Sequence, residues 1–281
     1  MDAATLATGL PSLQRATGEL MVSVKRRNLA SVLDVLRQAG CLKARFPRPV
    51  TDGWMDAVML NTSGGVAGGD RLDSSFDIQI GARVTISAQA AERFYRASAG
   101  SAPSRVRTRV AVAAGAAAEW LPQETILFDR CAMDRRLDVE LADDAWFLAV
   151  ESLVFGRAAM GERVGQAWVR DSIRVRRGGR LVLHDAIRLD GDVDAVLQRR
   201  AIADGARAVA TMVQVGPGAE AALEGVRAAL ADASVDGGAS AWNGMLLTRI
   251  LAADGATLRA AVIALLTVLR AGRPLPRVWQ C

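Results

Sequence analysis

The sequence is poor in the residues that usually bind transition metals tightly. His184 is the only histidine, and Cys41, Cys131 and Cys281 lie far apart without a C-x-x-C pair. Without carboxylates these residues cannot assemble a preformed tetrahedral metal site, and they form no disulfide framework. A Ser-His-Asp or Cys-His mechanism would have to use His184, and no G-x-S-x-G motif precedes it. We therefore predict no catalytic residues of this kind and a reducing compartment.

The chain also lacks a long apolar run. Its longest, Ala260 to Leu266, is much shorter than the roughly 20 apolar residues that cross a bilayer. The first residues, Met1 to Ala4, provide neither a basic leader nor an apolar core of the kind found in secretory signals. We expect a cytoplasmic protein with no membrane partner.

Basic charge is abundant, but lysine is nearly absent: the net charge is +5 and only two lysines occur. The arginines are interspersed with acids, so the sequence shows no continuous basic stripe typical of nucleic-acid binding. The densest alternation is Arg105, Arg107 and Arg109, which predicts the polar face of one strand. We expect that face to be solvated or to contact a partner, and we expect no nucleic-acid partner.

Alternating apolar and polar residues between about Leu20 and Leu189 predict strands separated by turns. Gly178-Gly179 lies between two such segments and predicts a hairpin. Trp146 to Phe155 is apolar nearly throughout and predicts a strand buried on both faces. The predicted fold class is mainly β, with an antiparallel β-rich body, a β-helix-like or stacked sheet, over residues 20–190.

Residues 191–281 predict a smaller α+β region with two principal helices within a single domain of residues 1–281. Ala219 to Ala231 is amphipathic and Thr257 to Arg270 is apolar with helical period, while Met245 to Leu251 predicts a strand. Asp192 to Ala203 predicts a short helix. Ser31 to Gln38 also has a helical period, which conflicts with an all-β start.

The segment Leu60 to Leu72 contains two glycine pairs followed by an acid. The pairs lack the spacing G-x-G-x-x-G, and no Gly-Lys-Ser/Thr follows. Asp70, which closes the segment, would repel a phosphate. We predict a tight strand connection that places Asp70 where a partner or a passing metal ion can meet it.

Glu151 interrupts the apolar run of its predicted strand. Burying an unpaired carboxylate is costly, so we expect a partner, for which Arg157 is the candidate. An ion pair is one interpretation, and a role for Glu151 as a ligand or pathway residue is the other. Glu124 and Glu151 together also leave open a hydrolase that uses paired carboxylates.

Five blocks, in order, resemble the signatures of the urease accessory protein UreD family, also called UreH. The blocks are Leu60–Leu72 (G-G-[ILV]-x-G-G-D-x-L), Gln89–Arg96 (Q-A-[AS]-x-[KR]-[VF]-Y-R), Glu119–Phe128 (E-W-L-P-Q-[ED]-x-I-x-F), Glu151–Glu162 ([ED]-x-L-x-x-G-R-x-x-x-G-E) and Leu275–Trp279. The motif residues are Gly64, Gly65, Gly68, Gly69, Tyr95, Arg96, Trp120, Pro122, Gln123, Glu124, Gly156, Arg157, Gly161 and Glu162.

The resemblance implies a non-enzymatic urease maturation factor, a scaffold that binds apo-urease and the accessory proteins UreF and UreG. It also implies help in delivering nickel to the dinickel centre through an internal tunnel, with nickel bound only transiently and no tightly bound cofactor. Asp70, Glu151 and Asp185 are the candidate acids of that path. Oxygen ligands suit such a path, because an ion held firmly does not move on.

The C-terminal region is our candidate for the surface that binds a UreF-like partner. The residues concerned are Leu223, Val226, Leu275, Pro276, Arg277 and Trp279, and core packing is the alternative for the helices that carry them. A β-rich binding module with no metal role is the remaining alternative for the whole chain.

Overall fold

Residues 14–157 and 160–280 are described by a computed structural model, and this part of the chain is mainly β. The prediction made for Met1 to Ala4 and the thiol of Cys281 lie outside these residues. The strands are β1 Thr17–Arg27, β2 Ala30–Gly40, β3 Leu42–Arg45, β4 Met55–Asn61, β5 Arg71–Ile78, β6 Arg83–Ala88, β7 Glu92–Phe94, β8 Ser104–Val112, β9 Ala117–Leu121, β10 Thr125–Leu127, β11 Ala132–Leu141, β12 Trp146–Phe155, β13 Gln166–Arg177, β14 Arg180–Asp192, β15 Ala208–Val215, β16 Asp236–Trp242 and β17 Met245–Ala252. The helices are α1 Val193–Leu197, α2 Leu223–Ala231 and α3 Gly255–Leu269, with short 3-10 helices at Glu220–Ala222 and Arg277–Trp279.

The strands form two sheets whose facing sides enclose the main core. The seven-stranded sheet has the order β14-β13-β11-β8-β5-β1-β2. The ten-stranded sheet has the order β16-β17-β15-β12-β9-β6-β4-β3, and β10 and β7 join it beside β12. Apolar side chains from both sheets form one cluster, including Phe76, Ile86 and Val139. Strands of the seven-stranded sheet such as β8 and β13 contribute one face to this cluster and alternate with period two, whereas β9, β12 and β15 are buried on both faces.

The predicted antiparallel pairing is wrong for the middle of both sheets. From β4 to β13 the longer strands alternate between the two sheets, and each pairs in parallel with a strand of a neighbouring turn. This winding is β-helix-like. Antiparallel pairs occur toward the edges, as in β1–β2, β3–β4 and the hairpin β13–β14 at Gly178-Gly179. Alternation of apolar and polar residues indicates which face of a strand is buried but not the direction of the strand. The sequence pattern could therefore not distinguish parallel from antiparallel pairing.

The C-terminal strands extend the ten-stranded sheet, because β15 pairs with β12 and β17 lies between β15 and β16. Helices α2 and α3 pack on the outer face of this sheet around a second apolar cluster that includes Val226, Leu246 and Leu265. The predicted helices are confirmed, with Asp254 capping α3 and Asp192 capping α1. No helix within the described ranges is both long and apolar enough to cross a membrane.

The helical interpretation of Ser31 to Gln38 is wrong. These residues lie in β2, which pairs antiparallel with β1 and has one register shift, opposite Ser23 and Val24. The outer face of the seven-stranded sheet carries exposed charged side chains, whereas α2 and α3 cover the C-terminal strands β15, β16 and β17 of the ten-stranded sheet. The two sheets therefore present different outer surfaces.

Candidate functional site

The paired-glycine segment is a tight connection, as the sequence predicts, and it docks on β7. The Val66 N–H donates to the Arg93 carbonyl at 2.7 Å, and the Tyr95 N–H donates to the Val66 carbonyl at 2.8 Å. Gly65 has φ +143°, and a Cβ there would lie 2.3 Å from the Tyr95 ring. The Tyr95 hydroxyl donates to the Gly64 carbonyl at 3.0 Å. Glycine is required at position 65 because both the backbone angle and the approach of the ring exclude a side chain.

Asp70 is buried and holds this connection in place. One carboxylate oxygen accepts the Ala16 N–H at 2.8 Å, and the other accepts the Ala67 N–H at 2.7 Å. Asp70 does not line the cavity described next. The structure therefore places its carboxylate in backbone hydrogen bonds and apart from the other two acids proposed for the path.

A cavity of about 220 Å³ lies between the two sheets and begins beside the glycine connection. Asn61 is at this end, where its amide donates at 3.2 Å both to the Gly65 carbonyl and to Glu92 Oε2. Burial raises the pKa of Glu92 above its ordinary value, against the opposing effect of the Asn61 hydrogen bond. Apolar walls come from Leu42, Leu72, Phe94, Val106, Trp120 and Leu137.

The far end of the cavity is polar and centres on Arg135 of β11, whose side chain is 11% exposed. Its Nε and Nη2 donate to the two oxygens of Asp171 at 2.9 and 2.6 Å. Its Nη1 donates to the Thr125 hydroxyl at 2.7 Å and lies 2.8 Å from Glu151 Oε2. Burial alone would lower the pKa of Arg135, but the charges of Asp171 and Glu151 raise it above its ordinary value. Arg135 is therefore a permanent cation inside the protein.

Glu151 is held unequally at its two oxygens. The Trp120 indole N–H donates to Oε1 at 2.7 Å, whereas Oε2 is held by the charge of Arg135, 2.8 Å away, without a well-directed hydrogen bond. Burial raises the pKa of Glu151, and Arg135 opposes that effect. The prediction that Arg157 is the partner of Glu151 is wrong, because Arg157 pairs with Glu162 at 2.7 Å near the surface. The partner comes from β11 because the winding of the chain brings that strand opposite β12.

A second, smaller cavity of about 10 Å³ is lined by Glu151, Asp171 and Asp185, so Glu151 borders both cavities. This volume is close to that of one water-sized probe. Asp185 Oδ1 pairs with Arg249 Nη2 at 2.5 Å, and Thr211 donates to Oδ2 at 3.5 Å. The structure thus brings two of the three predicted acids, Glu151 and Asp185, onto one line of polar groups. We call this line, Glu92, Arg135, Glu151, Asp171 and Asp185 with the two cavities, the interior passage.

The sequence reasoning missed Glu92, Arg135 and Asp171. One signal was available for Arg135, since Arg135 and Arg136 are adjacent on one strand. Neighbouring side chains on a strand point to opposite faces, so one of the two had to face the interior. No comparable signal marks Asp171, because only the parallel pairing of β11 with β13 sets Arg135 beside it.

The E-W-L-P-Q-E block connects the interior passage to the C-terminal tail. Trp120 faces inward to Glu151, while Glu119, on the opposite face of β9, accepts Arg270 Nε at 3.0 Å and Arg273 Nη2 at 2.6 Å. Pro122 and Gln123 line the cavity. Both Glu119 and Arg270 are almost completely buried.

The tail is held by the same block. The Trp279 indole donates to the Leu121 carbonyl at 3.0 Å, and the Gln123 amide donates to the Val278 carbonyl at 2.6 Å. Arg259 of α3 pairs with Glu124 at 2.9 Å. Glu124 therefore pairs with Arg259, and Glu151 pairs with Arg135. Nothing in this geometry brings the two carboxylates together around a common substrate.

The other motif residues meet around Phe128. Its ring lies 4.9 Å from the Tyr95 ring, and the Arg157 guanidinium lies 4.5 Å from its centroid. Gly156 has φ +81°, and a Cβ there would lie 2.4 Å from the Glu162 carbonyl oxygen. The remaining motif residues, Gly68, Gly69, Arg96 and Gly161, lie in the connections next to these contacts.

The candidate partner-binding residues differ in accessibility. Val226, Pro276 and Trp279 are buried, Leu223 and Leu275 are half-buried, and Arg277 is exposed. Packing within this chain therefore explains the burial of Val226 and Trp279.

No group of three His, Cys, Asp or Glu side chains arranged to hold a metal ion occurs in residues 14–157 and 160–280. The interior passage offers carboxylate, hydroxyl and amide oxygens one after another. Such an arrangement suits brief contacts with a hard or borderline cation and does not suit permanent storage.

The sequence matches the family described as "UreD urease accessory protein" over residues 16–280. A relative named "Urease accessory protein UreD" from Rhizobium leguminosarum bv. viciae is 46% identical over 267 residues, covering 95% of this chain and 96% of the relative. A relative of the same name from Rhodopseudomonas palustris (strain BisB18) is 42% identical, covering 98% of both chains. "Urease accessory protein UreD 2" from Methylorubrum populi is 44% identical, covering 96% of this chain and 92% of the relative.

Proposed function

The chain belongs to the UreD family of urease accessory proteins, and from this premise we propose that it is a scaffold that carries nickel toward apo-urease through its interior passage. As a family member it is an accessory protein of urease maturation and not a catalytic enzyme. In the proposal it works in the cytoplasm with apo-urease, a UreF-like and a UreG-like partner. Nickel is its cargo and is released after each transfer.

The observation that carries the proposal is the position of Glu151, which lines both cavities. Its Oε2 is buried without a well-directed hydrogen bond and lies 2.8 Å from the Arg135 guanidinium. A passing cation would compete with Arg135 for this oxygen. The neighbouring cavities extend from Asn61 on one side to Asp185 on the other, so an ion at Glu151 has polar groups before and after it.

Arg135 supports transient contact over tight binding. Its guanidinium already neutralises part of the charge of Glu151 and Asp171, so a divalent ion has to compete with it for these oxygens. That competition lowers the affinity of the position for the ion. A carrier requires this property, because the ion must leave as readily as it arrives.

Asp70 serves the same function indirectly in this proposal. Its two oxygens fix the glycine connection, which borders the outer end of the first cavity. Of the three predicted acids, we assign Glu151 and Asp185 to contact with the ion and Asp70 to the shape of the opening.

We assign the UreF-like partner to the outer helical layer and the tail. Arg277 is exposed there, and Val268 of α3 is 37% exposed. Val226, Pro276 and Trp279 act by holding α2 and the tail in position. A partner would therefore contact exposed residues such as Arg277 and Val268, which lie close to the buried residues that hold this region in position.

Urease activation with purified components tests the passage. Glu151→Gln and Asp185→Asn, each made separately, should lower the nickel content of urease by about tenfold, because each removes an anionic oxygen from the path. Binding of the variants to apo-urease and to the UreF-like protein should stay unchanged. The readouts are bound nickel per urease, urease activity and complex formation by size-exclusion chromatography.

Glu140→Gln is the matched control, because Glu140 lies on the exposed outer face of β11. It should leave nickel content unchanged. Normal nickel content with Glu151→Gln and Asp185→Asn would refute the passage and favour a β-rich binding module with no metal role. Loss of complex formation in these two variants would show instead that the residues act through folding.

A further inference from the structure

A row of arginines crosses the outer face of the seven-stranded sheet. The register of β5, β8, β11, β13 and β14 aligns the residues Arg71, Arg105, Asp134, Arg170 and Arg188. Neighbouring strands lie about 4.8 Å apart, so the row spans about 19 Å. All four arginines are exposed. We call them the arginine row.

Several other arginines of this face form ion pairs, whereas the four of the arginine row, like Arg109, form none with a described residue. Elsewhere on the face Arg174 pairs with Asp138 at 2.6 Å, and Arg176 pairs with Glu140 at 3.5 Å. Asp134, the one acid within the row, pairs with Arg107 of the next row. Among the described residues no carboxylate pairs with any of the four arginines, and Arg170 contacts only the Trp168 ring, 5.2 Å away.

Two of the four cross-strand steps in the row are unfavourable for folding. Arg71 is directly opposite Arg105, and Arg170 is directly opposite Arg188. Like charges in directly opposed positions of a sheet are destabilising. Asp134 lies opposite Arg105 and Arg170 but pairs with Arg107, so the four exposed guanidinium groups, which form no ion pair with a described residue, are available to bind something outside the chain.

We propose that the arginine row binds an acidic segment of a partner protein. Arginine is enriched in protein interfaces because its planar guanidinium pairs with carboxylates through two hydrogen bonds. Four arginines across about 19 Å suit a segment with several carboxylates. Asp73 and Asp190, which flank the row on β5 and β14, are exposed and would repel a continuous polyanion such as a nucleic-acid backbone. A protein can place its acids between these two positions.

The proposal goes beyond nickel transfer and adds a contact surface to the scaffold role proposed above. It requires no part of the interior passage, because the row lies on the outer face and Arg135 and Glu151 lie inside. The two proposals can therefore fail separately.

Binding of a decaglutamate peptide tests the row. The full chain should bind the fluorescently labelled peptide, with an affinity that falls as salt is added. Replacing Arg71, Arg105, Arg170 and Arg188 together by glutamine should raise the dissociation constant by about tenfold or more. The measurement is fluorescence anisotropy, with thermal unfolding recorded to show that the variant is folded.

The matched control replaces Arg27, Arg48, Arg199 and Arg200, four exposed arginines elsewhere, by glutamine. It removes the same charge and should change the dissociation constant by less than about twofold. Equal loss in the control would overturn the proposal, because binding would then follow net charge. Tighter, row-dependent binding of an oligothymidylate or of anionic vesicles would also overturn it in favour of a phosphate-bearing partner.

Discussion

The two sheets use the same charged residue types in opposite ways. On the ten-stranded sheet Glu119 lies under the tail and meets Arg270 and Arg273, and the Thr85 hydroxyl also donates to it at 2.6 Å. On the outer face of the seven-stranded sheet, unlike its inner face with Arg135 and Asp171, the charges form partly exposed lateral pairs or, in the arginine row, no ion pairs. The covered charges are desolvated and the open ones are not.

This difference determines what each set of charges can do. A buried charge pair costs desolvation energy and repays it only with well-directed hydrogen bonds, so it fixes geometry. Arg270 meets this requirement with bonds to Glu119 and to the carbonyls of Arg273 and Pro274. Exposed pairs contribute little to stability, which leaves such a face available for binding. The covered sheet thus anchors the C-terminal tail, and the open sheet presents charge.

Removing the carboxylate of the covered sheet should have the largest effect. Glu119→Gln removes the carboxylate that pairs with the buried Arg270 and the half-buried Arg273, and we expect a loss of about 3–5 kcal/mol in the free energy of unfolding. Denaturant unfolding followed by tryptophan fluorescence measures this loss. Glu140→Gln on the open sheet is the control, with an expected change within about 0.5 kcal/mol. Similar losses for both variants would contradict the comparison.

Two acids, one from each sheet, should change the stability of the protein in opposite directions as pH rises. Burial raises the pKa of Glu92 on β7, so its carboxyl binds a proton more strongly in the folded state than in the unfolded state. The free energy of unfolding therefore falls as pH rises above the ordinary pKa of a glutamate. Lys25, whose ammonium is 2.6 Å from Asp34 on β2, lowers the pKa of Asp34. The stability that Asp34 contributes is present at pH values above its ordinary pKa. It is lost as pH falls through the lowered pKa of the folded state.

Glu92→Gln should therefore gain stability relative to the parent chain as pH rises from about 3 to about 7, whereas Asp34→Asn should lose it. Urea unfolding at a series of pH values gives both curves. Parallel curves for the two variants would mean that burial does not distinguish these acids. Each variant is the control for the other, because both remove one carboxylate.

A single change in the arginine row should have the smallest effect. Arg188→Gln removes one of two opposed like charges, so the free energy of unfolding should stay within about 0.5 kcal/mol or rise slightly. Thermal unfolding at low salt measures it, and Arg174→Gln, which breaks a pair with Asp138, is the comparison. A clear loss with Arg188→Gln would show that the row makes a stabilising contact within the fold.

Much of the local structure could be predicted from residue order. The strand Trp146–Phe155, the hairpin at Gly178-Gly179 and the two principal helices have the positions that apolar period and turn residues indicate. Glu151 was recognisable as a site residue because a carboxylate interrupts an apolar run. Its partner was not recognisable, since Arg157 is near in sequence and Arg135 is near only in space.

The sequence by itself determined which residues form strands and helices, where the glycine connection must bend, and which family the blocks resemble. Tertiary structure alone decided the parallel winding, the interior passage and the arginine row. The physical reason is that periodicity and turn chemistry act over a few residues. Strand direction and cross-strand register bring Arg135 to Asp171 and Arg71 to Arg105 across 36 and 34 residues of chain, and only the folded chain sets them.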